Sequence, residues 1–235
     1  MEAEQRLHDQ LLLGADAVLR QVCATARRSG IEPVSADKII SVNPRVKVPR
    51  DAMTPFLEMA ATEPWAVRPE RLGWRGFSGG CKFERGDTLF AKITGCIEHG
   101  KGAFVDFVDE PAAGSTEFLV LRAGNRLTPE SLFLISRWPA VRSHLIQRMV
   151  GSSGRQRVPT DAFSSLELTI PASLDDWTHE ASFIEQAFAR GLGAWQSQRR
   201  LRALRDQLLA KLVSGNLRVA DDYLTDAAPV TVGER

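Results

Sequence analysis

Six prolines between residues 31 and 75 constrain the fold of this chain more than any other feature of the sequence. Proline fixes φ at about −65° and lacks an amide hydrogen, so a helix breaks where a proline falls in its interior. The spacing of these prolines excludes a long helix and predicts short strands and turns. The residues are Pro33, Pro44, Pro49, Pro55, Pro64 and Pro69.

Apolar residues recur at helical spacing on both sides of this proline-rich stretch. Residues 4–28 carry them at steps of three and four, which predicts a helix that ends near Gly30. Residues 129–149 show the same spacing, and Pro139 divides them into two short helices.

The last helical pattern is the longest in the chain. It runs from about Asp175 to Val213 and predicts one long helix with Gly215 as its C-terminal stop. Its apolar residues change phase near residues 196–200, so the helix has no strict heptad seam. Residues 220–235 are predicted to form a loose tail.

Short apolar runs separated by glycines predict β structure between residues 83 and 123. The runs are Thr88–Thr94, Ala103–Val108 and Phe118–Arg122, and a further short strand is expected at Leu166–Ile170. The predicted fold class is therefore α+β: a mixed, β-rich domain with short helices, followed by a long C-terminal helix.

The composition is that of an ordinary globular protein, with 43% hydrophobic and 25% charged residues. Because the net charge is only +1, any nucleic-acid surface must come from local clustering of basic residues. The odd count of three cysteines favours a reducing compartment over a disulfide framework. The charged N-terminus is not a secretory signal and no apolar run is long enough to cross a bilayer, so we expect a cytoplasmic protein without a membrane partner.

Common catalytic and cofactor signatures are absent from the sequence. It has neither a GxxxxGK[S/T] nor a GxGxxG loop, and Asn43-Pro44 continues with Arg45, unlike the aromatic-ended motif expected of an adenine methyltransferase. We therefore predict no cofactor and no catalytic residue.

Cys96 and His99 leave two enzymatic or metal-binding alternatives open. With Cys81 they would supply part of a zinc site, but structural zinc takes four ligands and no second motif provides them. As nucleophile and base, Cys96 and His99 would form a cysteine hydrolase, for which the sequence shows no orienting third residue. No metal site is predicted.

Arginine is concentrated in two stretches that contain no acidic residue. Residues 137–157 and residues 190–205 hold five arginines each. Because guanidinium binds phosphate and guanine in a bidentate way, these stretches favour duplex DNA, with a solvated helix face as the alternative. The first stretch overlaps VGSSGRQRVPTDAF, residues 150–163, which fits a phosphate-binding loop, a base-reading loop or a turn that ends a helix.

Six segments carry a family resemblance in their order along the chain: ISVNPRV, PFLEMA, FERGDTLFAKITGCIEHGKGAFV, GSTEFLVLR, GSSGRQRV and LRDQLLAKLVSGNLRV. Together they resemble the specificity subunit of type I restriction-modification systems. That family often has ITPC and ENGK where this chain has ITGC and EHGK, so Gly95 and His99 depart from it.

The resemblance implies a target recognition domain at residues 31–173 and a conserved long helix at residues 174–219. In the family this helix acts as a spacer and pairs as an antiparallel coiled coil. A complete subunit has the unit twice, so this chain resembles a half-subunit or the C-terminal half of one. The helix at residues 1–30 is predicted to pack on the long helix.

The implied function is recognition of double-stranded DNA without catalysis. The chain would direct methyltransferase subunits, and through the complex a restriction subunit, to half of a split target site. A homodimer through the long helix is a further expectation. A helical adaptor that does not bind DNA is the alternative.

Candidate DNA contacts follow from residue chemistry and from position in loops. Side chains with distinctive donor and acceptor patterns are the candidate base readers, namely Lys92, Thr94, His99, Lys101, Arg155, Gln156 and Arg157. Hydroxyl groups in turns are the candidate phosphate contacts, namely Ser115, Thr116, Ser152 and Ser153.

Overall fold

The computed structural model describes residues 2–50 and 53–216, so the tail predicted at residues 220–235 lies outside the described residues. The described chain forms two units. Residues 13–188 make up the larger unit, and residues 2–12 with residues 189–216 make up the smaller one. The domain boundaries predicted near residues 30 and 173 stay predictions.

Four α-helices in the described residues lie where apolar spacing and prolines predict them. The first, α1, spans Glu2–Arg28, and Gly30 then turns the backbone with a φ of 76°. The short helices α2, Pro129–Ser136, and α3, Pro139–Ile146, both begin with a proline, where its missing amide hydrogen costs no helical bond. The last, α4, is continuous over Thr178–Val213.

The described residues also form ten short strands between α1 and α4. They are β1 Val34–Ser35, β2 Ile40–Val42, β3 Met53–Leu57, β4 Gly73–Gly76, β5 Cys81–Phe83, β6 Thr88–Ala91, β7 Gly102–Phe104, β8 Ala112–Gly114, β9 Phe118–Ala123 and β10 Glu167–Leu168. One antiparallel sheet has the order β2-β9-β6-β7, and a mixed sheet has the order β4-β3-β8-β5 with β3 parallel to β8. β1 pairs with β10. The predicted α+β class with a long C-terminal helix is confirmed.

The core of the larger unit joins the two four-stranded sheets. Leu57 and Phe83 from the mixed sheet pack with Leu89 and Phe118 from the antiparallel sheet, and all four are nearly inaccessible to solvent. Three further rings, Phe104, Phe133 and Phe188, meet edge to face with centroids 5.0 to 5.9 Å apart. This arrangement is favourable for aromatic quadrupoles and fixes the first turns of α4 in the core.

A buried carboxylate, Asp87, holds the turn between β5 and β6. It accepts the Glu84 backbone amide at 2.9 Å and two guanidinium nitrogens of Arg122 at 2.7 and 2.9 Å. Arg122 also contacts the Glu84 carboxylate at 2.7 Å. The hydrogen bond to Asp87 raises the pKa of Arg122 above its ordinary value. The charge is thus paired and hydrogen-bonded, as a buried carboxylate requires.

The buried face of α1 in the larger unit is offset from the stripe that simple spacing suggests. Ala15, Val22 and Ala26 are buried as expected, and Leu19 and Cys23 are buried with them. The helix is held beside α3 by polar contacts to Trp138, whose indole nitrogen donates to the Asp16 carboxylate at 2.5 Å.

The smaller unit contains a close approach between the two helix ends that compose it. His8 is buried, and its Nδ1 lies 2.7 Å from the carbonyl oxygen of Gly191. A Cβ at Gly191 would lie 3.4 Å from that same nitrogen. Further along α4, several large apolar side chains are about half exposed, namely Leu201, Leu204, Leu208 and Leu209.

Candidate functional site

Three loops that the sequence singles out meet beside the antiparallel sheet: residues 92–94, 115–117 and 150–158. The Lys92 amide donates to the Glu117 carbonyl at 3.0 Å, and the Lys92 carbonyl accepts the Val158 amide at 2.8 Å. Thr94 donates both its amide and its hydroxyl to the Gln156 carbonyl, at 3.0 and 3.1 Å. Because these contacts are mainly backbone bonds, the junction fixes the loops largely independently of their side chains.

The segment at residues 150–157 is a small hairpin. Val150 and Arg157 exchange both backbone hydrogen bonds, at 3.0 and 2.8 Å, and the Arg155 amide donates to the Ser152 carbonyl within the turn. Ser152, Ser153 and Arg155 are exposed at its tip. The sequence left three interpretations of this loop: a phosphate-binding loop, a base-reading loop or a turn that ends a helix. In the structure it is a turn whose tip exposes one arginine and two hydroxyl groups to solvent.

The guanidinium group of Arg157 is occupied by a carboxylate. Its Nε and Nη2 donate to the two oxygens of Glu117 at 2.8 and 2.7 Å. These hydrogen bonds hold the pKa of Glu117 below its ordinary value. A bidentate pair of this kind fixes both side chains, so Arg157 joins the hairpin to the turn at residues 115–117. Arg157 was predicted to read a base, but two of its guanidinium donors are already hydrogen-bonded to an acidic residue of the same chain.

His99 and Lys101 lie on the turn that follows Thr94. The amide of His99 donates to Gly95, and the side chain of Lys101 donates to the Met59 carbonyl at 3.4 Å. No hydrogen bond between described residues joins either side chain to the other predicted contacts. The structure therefore groups Lys92, Thr94, Ser115, Thr116, Gln156 and Arg157, with Ser152, Ser153 and Arg155 at the hairpin tip. Within the described residues it shows no such connection for the side chains of His99 and Lys101.

A basic cleft of about 680 Å³ opens beside the junction. Its charged lining consists of Arg45, Lys47, Lys82 and Lys92, and among residues 2–50 and 53–216 no acidic residue lines it. Thr116 adds a hydroxyl group to the wall. These four cations form a local positive potential on a chain of nearly zero net charge, which suits a polyanion.

Three of these four cations, Arg45, Lys47 and Lys82, were not predicted as contacts from the sequence. Arg45 and Lys47 are exposed and alternate with the buried Val46 and Val48, so the sequence RVKV carries the period of an extended segment with one basic edge. Because prolines flank RVKV, this alternation of basic and apolar residues is hard to recognise in a stretch where the sequence predicts turns.

Asn43 directs this extended segment away from the antiparallel sheet. Its φ is 53°, a left-handed conformation that asparagine adopts more readily than most residues. Its amide donates to the Val120 carbonyl at 2.7 Å, and its side-chain oxygen accepts the Val120 amide at 3.0 Å. The pairing of β2 with β9 is thereby capped, and the chain leaves the sheet toward Arg45.

The arginines of residues 137–157 do not form one surface patch. Arg142 is 6% exposed, and its guanidinium lies over the rings of Trp65 and Phe90 at 4.7 and 5.5 Å. Arg137 donates to the backbone carbonyls of Trp65 and Ala66, and burial lowers its pKa to about 10. The patch hypothesis is wrong for these two residues, because aromatic rings and carbonyl groups enclose them.

The cysteines show no paired catalytic arrangement in the described residues. No hydrogen bond joins the side chains of Cys96 and His99, and burial raises the pKa of Cys23 to about 11 and that of Cys81 to about 12. Such thiols are poor nucleophiles near neutral pH. Within residues 2–50 and 53–216 no group of three or more histidine, cysteine or acidic residues is arranged to hold a metal ion.

None of the helices in the described part of the chain is both long and apolar enough to cross a membrane. No protein-family model matches the sequence, and no curated protein matches it.

Solved structures that resemble this chain come from type I restriction-modification systems. The HsdS subunit from Thermoanaerobacter tengcongensis has a TM-score of 0.48 at 12% identity, over 91% of this chain and 54% of that one. The S subunit from M. genitalium has a TM-score of 0.49 at 9% identity, over 88% and 58%. A chain from a structure concerned with complex assembly and conformational transition of the type I R-M system has a TM-score of 0.46 at 12% identity, over 89% and 55%. This chain spans little more than half the length of each.

Proposed function

We propose that this chain recognises a specific double-stranded DNA sequence, as the specificity subunit of a type I restriction-modification system or half of one. The observation that carries the proposal is the basic cleft beside the junction of the three loops, which is lined by four cations and, within the described part of the chain, by no carboxylate. Lysine and arginine along the cleft would bind backbone phosphates and set the register, while exposed loop side chains would read base edges. The six sequence motifs support the same assignment.

In this proposal the chain binds and does not catalyse. Methyl transfer would belong to partner methyltransferase subunits, and cleavage to a restriction subunit reached through the complex. The half-exposed leucines on the second half of α4 would serve as a docking and spacing surface, because a row of large apolar side chains on a helix favours a helical partner. A second copy of the chain, paired through α4 as an antiparallel coiled coil, is one such partner.

The experiment is selection from a randomised duplex library by the chain assembled with its methyltransferase partner. An enriched sequence is expected, and its absence would contradict the proposal. Lys92 was expected from the sequence to read a base, but its place among the cations of the cleft favours a phosphate contact. Replacing Lys92 by alanine should then weaken binding to all sequences about equally and reduce the salt slope by about 1. The matched control is Lys38→Ala, since Lys38 is exposed and does not line the cleft. Equal effects of the two replacements would remove the cleft from the proposed interface.

A further inference from the structure

A second cleft, of about 370 Å³, adjoins the basic cleft and has a different chemical character. The two share Gly80 and Thr116 in their linings. Gly80 has a φ of 123°, and a Cβ there would lie 2.1 Å from the Gly114 carbonyl oxygen. No side chain fits at this position, so backbone forms part of the floor and a ligand can approach it closely.

Arg75 lines the second cleft, and an aromatic ring positions its guanidinium group. Its guanidinium carbon lies 3.3 Å from the centroid of the Phe56 ring, so the planar group stacks on the ring. Phe56 is 5% exposed and packs with Val46, Val48 and Phe77, which makes the ring a fixed platform. Stacking on a fixed ring reduces the freedom that the guanidinium loses when it binds.

The hydrogen-bond donors of Arg75 are not used within the described residues. No ion pair or side-chain hydrogen bond involves Arg75 there. The strand β4 that carries it is exposed at every residue and lies at the edge of the mixed sheet. The guanidinium of Arg75 is therefore oriented by the stacking of its face on Phe56, and its N–H groups are available to a ligand.

A carboxylate shares this cleft. Glu58 is exposed, lines the cleft with Arg75, and has no side-chain hydrogen bond or ion pair within the described residues. A carboxylate repels phosphate, so the second cleft suits a base edge better than the DNA backbone. In the major groove, guanine presents two acceptors to an arginine fork, and cytosine presents an amino donor to a carboxylate.

We propose that Arg75 and Glu58 read one G·C base pair in the major groove, with Arg75 donating to O6 and N7 of guanine and Glu58 accepting from the amino group of cytosine. The inference rests on the proposed function, and it adds two specificity-determining residues. The adjoining basic cleft would hold the backbone of the same duplex, while Ser115 and Thr116, on the wall of the second cleft, would contact phosphate at its rim.

The test compares variants by selection from a randomised duplex library, each chain assembled with its methyltransferase partner. The wild-type motif should contain a G·C pair that Arg75→Lys loses, because lysine keeps the charge but cannot form the planar fork. Discrimination at that pair should fall about 5- to 150-fold, with the other positions unchanged. Glu58→Gln should reduce discrimination at the same pair.

The matched control is Arg71→Ala, because Arg71 lies in an adjacent cavity with Arg75 but its guanidinium stacks on no ring of the described residues. It should leave the motif unchanged. An Arg75→Lys variant that melts like the wild type and selects the wild-type motif overturns this inference while the proposed function stands. A wild-type complex that enriches no sequence overturns the proposed function itself.

Discussion

Replacing Asp87 by alanine is expected to destabilise the larger unit strongly. The side chain of Asp87 is 0% exposed and accepts three hydrogen bonds, two of them from Arg122. Removing one partner of a buried ion pair costs about 3 to 5 kcal/mol, chiefly because the other partner loses its compensation. Arg122 is 31% exposed and keeps its contact with Glu84, so the lower end of this range, about 3 kcal/mol, applies here.

Thermal unfolding of the full chain measures this loss. For a chain of this size each kcal/mol lowers Tm by about 2 to 4 °C, so Asp87→Ala should lower it by about 6 to 12 °C. The matched control is Glu84→Gln, which weakens the other, more exposed carboxylate contact of Arg122 and should cost less than about 1 kcal/mol. Equal losses for the two variants would refute the assignment of Asp87 as the buried anchor of the turn.

Two further predictions concern the smaller unit and the loop junction. Gly191→Val should lower the free energy of unfolding by about 1 to 3 kcal/mol, because branched carbons would crowd His8, whereas Gly193→Val should not, since a Cβ there meets nothing within 4 Å. Urea unfolding of both variants measures the difference, and equal losses would contradict the close approach. The lowered pKa of Glu117 predicts stability that is present above its ordinary pKa and lost as pH falls through the folded value. Unfolding between about pH 6 and pH 3 should therefore show a smaller acid loss in Glu117→Gln, and identical profiles would exclude the pair as a source of stability.

The helices could be predicted from the sequence because their signals are local. The proline at position 139 separates α2 from α3, and Gly215, with a φ of 72°, follows α4 as predicted. The positions of strands β6, β7 and β9 could be predicted from the sequence, but their lengths could not. The run Thr88–Thr94 forms a regular strand only to Ala91, because Lys92–Thr94 pair instead with the hairpin at residues 150–158.

The candidate site was less predictable because it depends on contacts between distant residues. The partner of Arg157 lies 40 positions earlier in the chain, and no local pattern marks that pairing. From the sequence, Arg142 is expected to be a charge on the surface. In the structure its guanidinium packs on Trp65, which lies much earlier in the chain. Arg75 looks like any exposed arginine until its stacking on Phe56 is seen. Residue type identifies the available chemistry, whereas tertiary packing determines which groups are already in use.

The fixed base of the hairpin at residues 150–157 has a consequence for how the sequence of its tip can change. Both ends of the hairpin are tied by backbone bonds between Val150 and Arg157, and the pair with Glu117 anchors its base from the side. The exposed side chains of Ser152, Ser153 and Arg155 contribute little to that anchorage, whereas Gly151 and Gly154 have φ values of 123° and 78° that other residues rarely adopt. Side chains at positions 152, 153 and 155 can therefore change while the scaffold beneath them stays folded. If the hairpin contacts DNA as proposed, an altered target preference would then require few substitutions, all of them at these three positions.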